Sequence, residues 1–121
     1  MTTMPIKPTI KRGDVILVLF PNSNLTSAKT RPTLVVQTDN LQTGLPQIIV
    51  AMITSQMSRA GHPSRVQVLL NSPEAKKSGL LTNSVVMTDN LATVINSAIY
   101  KKIGSLPMAQ IDLALKHTLG L

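Results

Sequence analysis

The chain has 121 residues, enough for one packed domain and too few for two. Apolar residues make up 43%, which excludes wholesale disorder, and the absence of cysteine excludes disulfides, thiolate zinc sites and thiol chemistry. Lys and Arg number 12 against 5 Asp and Glu; the formal charge of +7 favours a polyanionic partner, while 2% aromatics argues against binding single strands by base stacking.

Residues 1–11, with prolines at 5 and 8 and no periodicity, are expected to form an extended arm. Gly13-Asp14 is a turn signal, and Val15 to Phe20 is a continuous β-rich run. Apolar on both faces, it predicts a strand buried on both sides. The run is too short to cross a bilayer and too short for a signal peptide's apolar segment, although Lys7, Lys11 and Arg12 precede it. The expectation is a soluble, cytoplasmic protein with no membrane partner. Pro21 to Thr30 is a loop by composition, and Pro32 to Gln37 a second strand with proline at its first residue. Gln47 to Ile53 is a third strand, and Met57 to Ser64 a polar, basic loop. Arg65 to Leu69 alternates cleanly as a half-exposed strand. Pro73 to Gly79 reads as one helical turn. Val85–Met87 and Leu91–Ile95 flank Asp89-Asn90 and predict a strand pair meeting at a tight turn. From Pro107, the residues Met108, Ile111, Ala114, Leu115 and Leu119 recur at helical spacing, with Gly120 as the stop. Short strands followed by one amphipathic helix predict an α+β domain, mainly β: a small antiparallel barrel with the helix against it.

No glycine-rich phosphate loop, nucleophile elbow or paired-histidine metal motif is present, and His62 and His117 are far apart in sequence. No metal or cofactor is expected. What remains is polar residues at strand ends: Arg31 closing a loop, Thr54 and Ser55 ending a strand, and Asp89-Asn90 at a turn. Taken alone, these read as a solvated arginine, turn hydroxyls and a hairpin turn. Lys76-Lys77 and Lys101-Lys102 read as exposed charge.

In combination, Lys11-Arg12-Gly13-Asp14-Val15, the loop ending Lys29-Thr30-Arg31-Pro32, and Thr33-Leu34-Val35-Val36-Gln37 resemble the opening of MazF/PemK-type toxins of type II toxin–antitoxin systems. Ile49 to Gln56 fits that family's third strand, Asn83 to Asn90 its acid-plus-amide turn, and Leu113 to Leu121 its closing helix. The resemblance implies an SH3-like barrel in a homodimer, acting as a metal-independent endoribonuclease on single-stranded RNA. The 2′-hydroxyl would attack the adjacent phosphate, leaving a 2′,3′-cyclic phosphate and a 5′-hydroxyl. By position, Arg31 and Thr54 would be catalytic, with Asp89 and His62 as candidates for the base. Ser27, Lys29, Ser55, Gln56, Arg59, Arg65 and Asn90 would bind RNA. It also implies an acidic antitoxin as partner, and DNA binding by the toxin–antitoxin complex. Arg31 suits phosphorane stabilisation because its planar fork pairs two phosphoryl oxygens, and its high pKa disqualifies it as a base. The chain departs from some members at Met87, where they carry a basic residue, and at Leu91–Thr93, which is uncharged here. The first loop also lacks a histidine that some members use. The departures at Met87 and Leu91–Thr93 motivate one alternative, a non-catalytic barrel binding nucleic acid or antitoxin. Lys116 and His117 in the closing helix support another, the sister class that inhibits gyrase, against which the Arg31-Pro32 pattern counts.

Overall fold

The computed structural model describes residues 9–21 and 27–121, so the expected arm lies largely outside the described residues. Strands β1 (Asp14–Pro21), β2 (Ala28–Val35), β3 (Gln47–Thr54), β4 (Arg65–Val68), β5 (Ser84–Ile95) and β6 (Ile99–Ser105) precede one helix, α1 (Ala109–Leu119). The strands form one antiparallel sheet in the order β4-β5-β3-β2-β1-β6. Strands β4 and β6 are its two edges, so hydrogen bonding does not close the sheet into the expected barrel. No helix among the described residues is long and apolar enough to cross a membrane.

The inner part of the apolar run in β1 is covered on both sides, as its sequence predicts, with Val15, Ile16 and Val18 buried, whereas Leu19 further out is 43% exposed. Val15 joins a cluster with Leu34, Ala51, Ile53, Val86 and the α1 residues Ile111 and Leu115. Ile16 and Val18 point the other way, into a cluster with Val35, Ile48, Val50 and Val94. Alternation along β1, β2, β3 and β5 thus feeds two apolar layers. The helix begins after Pro107 and ends where Gly120, at φ +71°, donates its N–H to the Lys116 carbonyl. Asp112 in the first turn takes a 2.7 Å hydrogen bond from Arg12, which fixes the helix to the segment before β1.

Several sequence expectations change. Pro21 and Ala28 to Thr30 are strand rather than loop, because the β1–β2 ladder continues outward to the Pro21–Ala28 pair. Residues 22–26 of that expected loop lie outside the described residues. Pro32 is inside β2, not at its first residue. The Gly13 N–H bonds the Val35 carbonyl and the Val36 N–H bonds the Ile49 carbonyl, so strand alternation turns residue 32 toward β3. Proline has no N–H to donate there, and the β2–β3 ladder stops at Thr33.

The expected hairpin at Asp89-Asn90 is instead the middle of β5. Both halves of β5 pair with β3, and the register shifts between Ala51–Leu91 and Met52–Met87. A two-residue hairpin turn of the favoured type needs positive φ, and neither Asp89 nor Asn90 has it. Thr88 accounts for the excursion. Its N–H (3.0 Å) and hydroxyl (2.6 Å) both donate to the Ser64 carbonyl, and its Oγ1 lies 2.8 Å from that of Thr118 in α1.

The sequence carries no strand signal over β6, because Lys101-Lys102 and Gly104 interrupt any alternation. Edge strands tolerate such residues because only one side must pair. The Ser105 N–H donates to the Lys77 carbonyl at 2.7 Å, so the turn around Pro73–Ala75 and the residues after it are held against the β6 edge.

Candidate functional site

Where β2 and β3 part beyond Thr33, continuing their register by two residues brings Arg31 level with Thr54. Both line a groove of about 830 Å³. Lys29, Thr30 and Pro32 of β2, Ser55 and Gln56 after β3, and Lys101 of β6 also line it. Residues 79–82 line it as well.

The Thr54 hydroxyl oxygen accepts the Gln56 N–H at 3.1 Å. That bond fixes the oxygen at the strand end and leaves the hydroxyl proton free to donate to a ligand. Arg31 is exposed and belongs to none of the ion pairs among the described residues. Among the described residues, no carboxylate and no imidazole lines the groove, and its titratable side chains are Lys29, Arg31 and Lys101.

The five acids of the chain lie elsewhere. Asp14 pairs with Lys102 at 3.1 Å, Asp112 with Arg12 at 2.7 Å and Asp89 with Arg65 at 2.8 Å. Asp39 accepts the Arg12 N–H, and Glu74 lines a small separate pocket beside α1. A groove that carries three cations and no counter-charge among the described residues favours an anion with several phosphates.

The other residues singled out from the sequence gather at a second place. The Arg65 guanidinium grips Asp89 through Nε (3.3 Å) and NH2 (2.8 Å), while its NH1 donates to the Arg59 carbonyl. Hydrogen bonding from Arg65 holds the Asp89 carboxyl below its ordinary range, against a smaller opposing effect of burial. His62 accepts the Ser64 N–H on Nδ1 at 3.1 Å, and its ring lies 6.1 Å, edge to face, from that of His117. Asp89, His62, Arg59, Arg65 and the exposed Asn90 are therefore not brought to the Arg31–Thr54 groove. Ser27 is exposed just before β2. No cluster of three or more His, Asp or Glu among the described residues is arranged to hold a metal ion.

Sequence reading missed Lys101, Thr82 and Ser84 as groove residues. The only available signal was the Lys101-Lys102 pair, which becomes informative once β6 is recognised as a strand beside β1.

Comparison with known proteins agrees with this architecture. The family model of the PemK-like, MazF-like toxin of type II toxin–antitoxin systems matches residues 11–119. An endoribonuclease from a Mycobacterial species, solved with its cognate antitoxin, superposes with a TM-score of 0.69 at 22% identity, over 93% of this chain and 97% of that one. The Mycobacterium tuberculosis toxin MazF-mt6 gives 0.67 at 24% identity, over 89% and 97%. A MazE–MazF structure from Deinococcus radiodurans gives 0.67 at 17% identity, over 93% and 96%. At such identities these likenesses establish a shared MazF-like fold.

Proposed function

The chain belongs to the PemK-like, MazF-like toxin family of type II toxin–antitoxin systems, and from that premise we propose that it is an endoribonuclease that cleaves single-stranded RNA without a metal ion. One observation carries the reading: Arg31 and Thr54 line one groove whose charged side chains, among the described residues, are all cations.

RNA brings its own nucleophile. The ribose 2′-oxygen attacks the adjacent phosphorus, its proton leaves to solvent, and the bond from phosphorus to the 5′-oxygen breaks. The departing oxygen takes up a proton, giving a 2′,3′-cyclic phosphate and a 5′-hydroxyl. Charge accumulates on the non-bridging oxygens as the phosphorane forms. The Arg31 fork supplies two parallel donors there, and the Thr54 hydroxyl a third. Asp89 and His62 do not line the groove, so this reading assigns them no proton transfer. Its partners are an acidic antitoxin segment, attracted to the same cationic surface, and a second copy of the chain in a homodimer.

The test is incubation with a long single-stranded RNA in excess EDTA, with mapping of product ends. The expected result is cyclic-phosphate ends, lost in a folded Arg31→Ala variant. Binding without strand breaks would replace the enzyme with a nucleic-acid-binding module. Stalled gyrase–DNA complexes with intact RNA would point to the sister class.

A further inference from the structure

Two adjacent lysines in β6 have different fates. The Lys102 ammonium is committed to Asp14, a buried carboxylate, at 3.1 Å. Lys101 has no carboxylate partner among the described residues, and its ammonium stands 5.8 Å from the centre of the Tyr100 ring. Lys101 lines the same groove as Arg31. The sheet order β2-β1-β6 separates the two residues by one strand, and the register sets Lys101 and Pro32 on either side of Leu17. With neighbouring strands about 4.8 Å apart, the backbones carrying Arg31 and Lys101 are roughly 10 Å apart. Arg31 is paired with Val18 and Lys101 with Leu17, so the two side chains leave opposite faces of the sheet and meet the groove from two sides, which suits two successive phosphates better than one.

We propose that Lys101 forms a second phosphate subsite, so that a single-stranded polynucleotide bound at Arg31 and Thr54 places its neighbouring phosphate on the β6 ammonium. The path rests on the reading of the groove as an RNA site, but it concerns binding, which can be measured without cleavage. A lysine on an edge strand has a simpler use, blocking strand-to-strand aggregation. In that case its removal affects polynucleotide binding no more than removal of any distant surface lysine.

The chain has one tyrosine and no tryptophan, so its intrinsic emission reports on Tyr100 alone, a residue 61% exposed beside the proposed subsite. The probe is a short 2′-O-methyl RNA of mixed sequence, which lacks the attacking hydroxyl. Titrations across a range of salt concentrations compare the unaltered protein with Lys101→Gln, Lys101→Arg and Lys76→Gln, Lys76 being exposed and outside the groove. Loss of one phosphate contact on a single strand lowers the salt slope by about 0.7 and costs about fivefold in affinity near 0.1 M salt. Lys101→Gln is expected to show both effects, Lys101→Arg to restore them, and Tyr100 emission to change on saturation of the unaltered protein. The proposal is overturned if Lys101→Gln matches Lys76→Gln in slope and affinity, or if Tyr100 emission ignores saturating probe. A parallel cleavage assay keeps the two readings apart. Arg31-dependent cleavage with an unchanged Lys101→Gln slope rejects only the subsite, while a Lys101 effect without cleavage rejects only the nuclease.

Discussion

Gly104→Ala tests how the groove is held open. Gly104 sits in β6 against the residues after Pro73–Ala75, and a Cβ there would collide with the backbone of Lys77 and Ser78. Its φ lies outside the left-handed region, so the requirement is for space and not for backbone freedom. Relieving the collision must push the 76–82 segment off the β6 edge, and with it the 2.7 Å bond from the Ser105 N–H to the Lys77 carbonyl. Overpacking costs about 1–3 kcal/mol, and a strained or lost backbone hydrogen bond adds about 1 kcal/mol. The expected loss is therefore about 2–4 kcal/mol. A chain of this size has an unfolding entropy near 0.25 kcal/mol/K, so the midpoint should fall by roughly 8–16 °C. Thermal and urea unfolding give the magnitude. Gly44→Ala is the comparator: its φ is +76° with nothing within 4 Å of a Cβ, so it carries only the dihedral penalty of about 1–2 kcal/mol. Polynucleotide affinity should fall in Gly104→Ala and not in Gly44→Ala, because β6 and residues 79–82 line the groove. A Gly104→Ala loss below about 0.5 kcal/mol would refute the steric account, since overpacking of this kind exceeds that.

Thr54→Val keeps the shape of the side chain and removes the hydroxyl; turnover on single-stranded RNA should drop by about 100-fold, with little change in the unfolding midpoint. Ile111→Ala should cost about 2–5 kcal/mol in urea unfolding, because Ile111 is 1% exposed where α1 meets the sheet. Asp89→Asn tests the Arg65 pair through its pH dependence. The folded carboxyl is held below its ordinary value, so its contribution to stability is present above the unfolded pKa and is lost as pH falls through the folded one. From about pH 5 downward the unaltered protein should lose stability faster than Asp89→Asn, read from urea midpoints. Identical pH dependence in the two proteins would show that the pair contributes nothing.

The chain itself determined whatever depends on local order. The apolar run of β1, the alternation in β4, and the helical spacing from Met108 to Leu119 each encode their element through side chains adjacent on one face. The family resemblance, not local order, singled out Arg31 in the Lys29 to Pro32 segment, and the missing N–H of Pro32 explains why β2 leaves β3 there. Partners distant in sequence decided the rest. Asp89-Asn90 carries the composition of a turn, but Thr88 is drawn to Ser64 and Thr118, and the strand runs on. Strand β6 pairs with β1 from more than eighty positions away, and that pairing makes Lys101 part of the groove, while Asp89 pairs with Arg65 outside it. Local pattern sets which residues can form a strand or helix. Which charges are left unpaired in one concave place depends on contacts that exist only once the sheet has assembled.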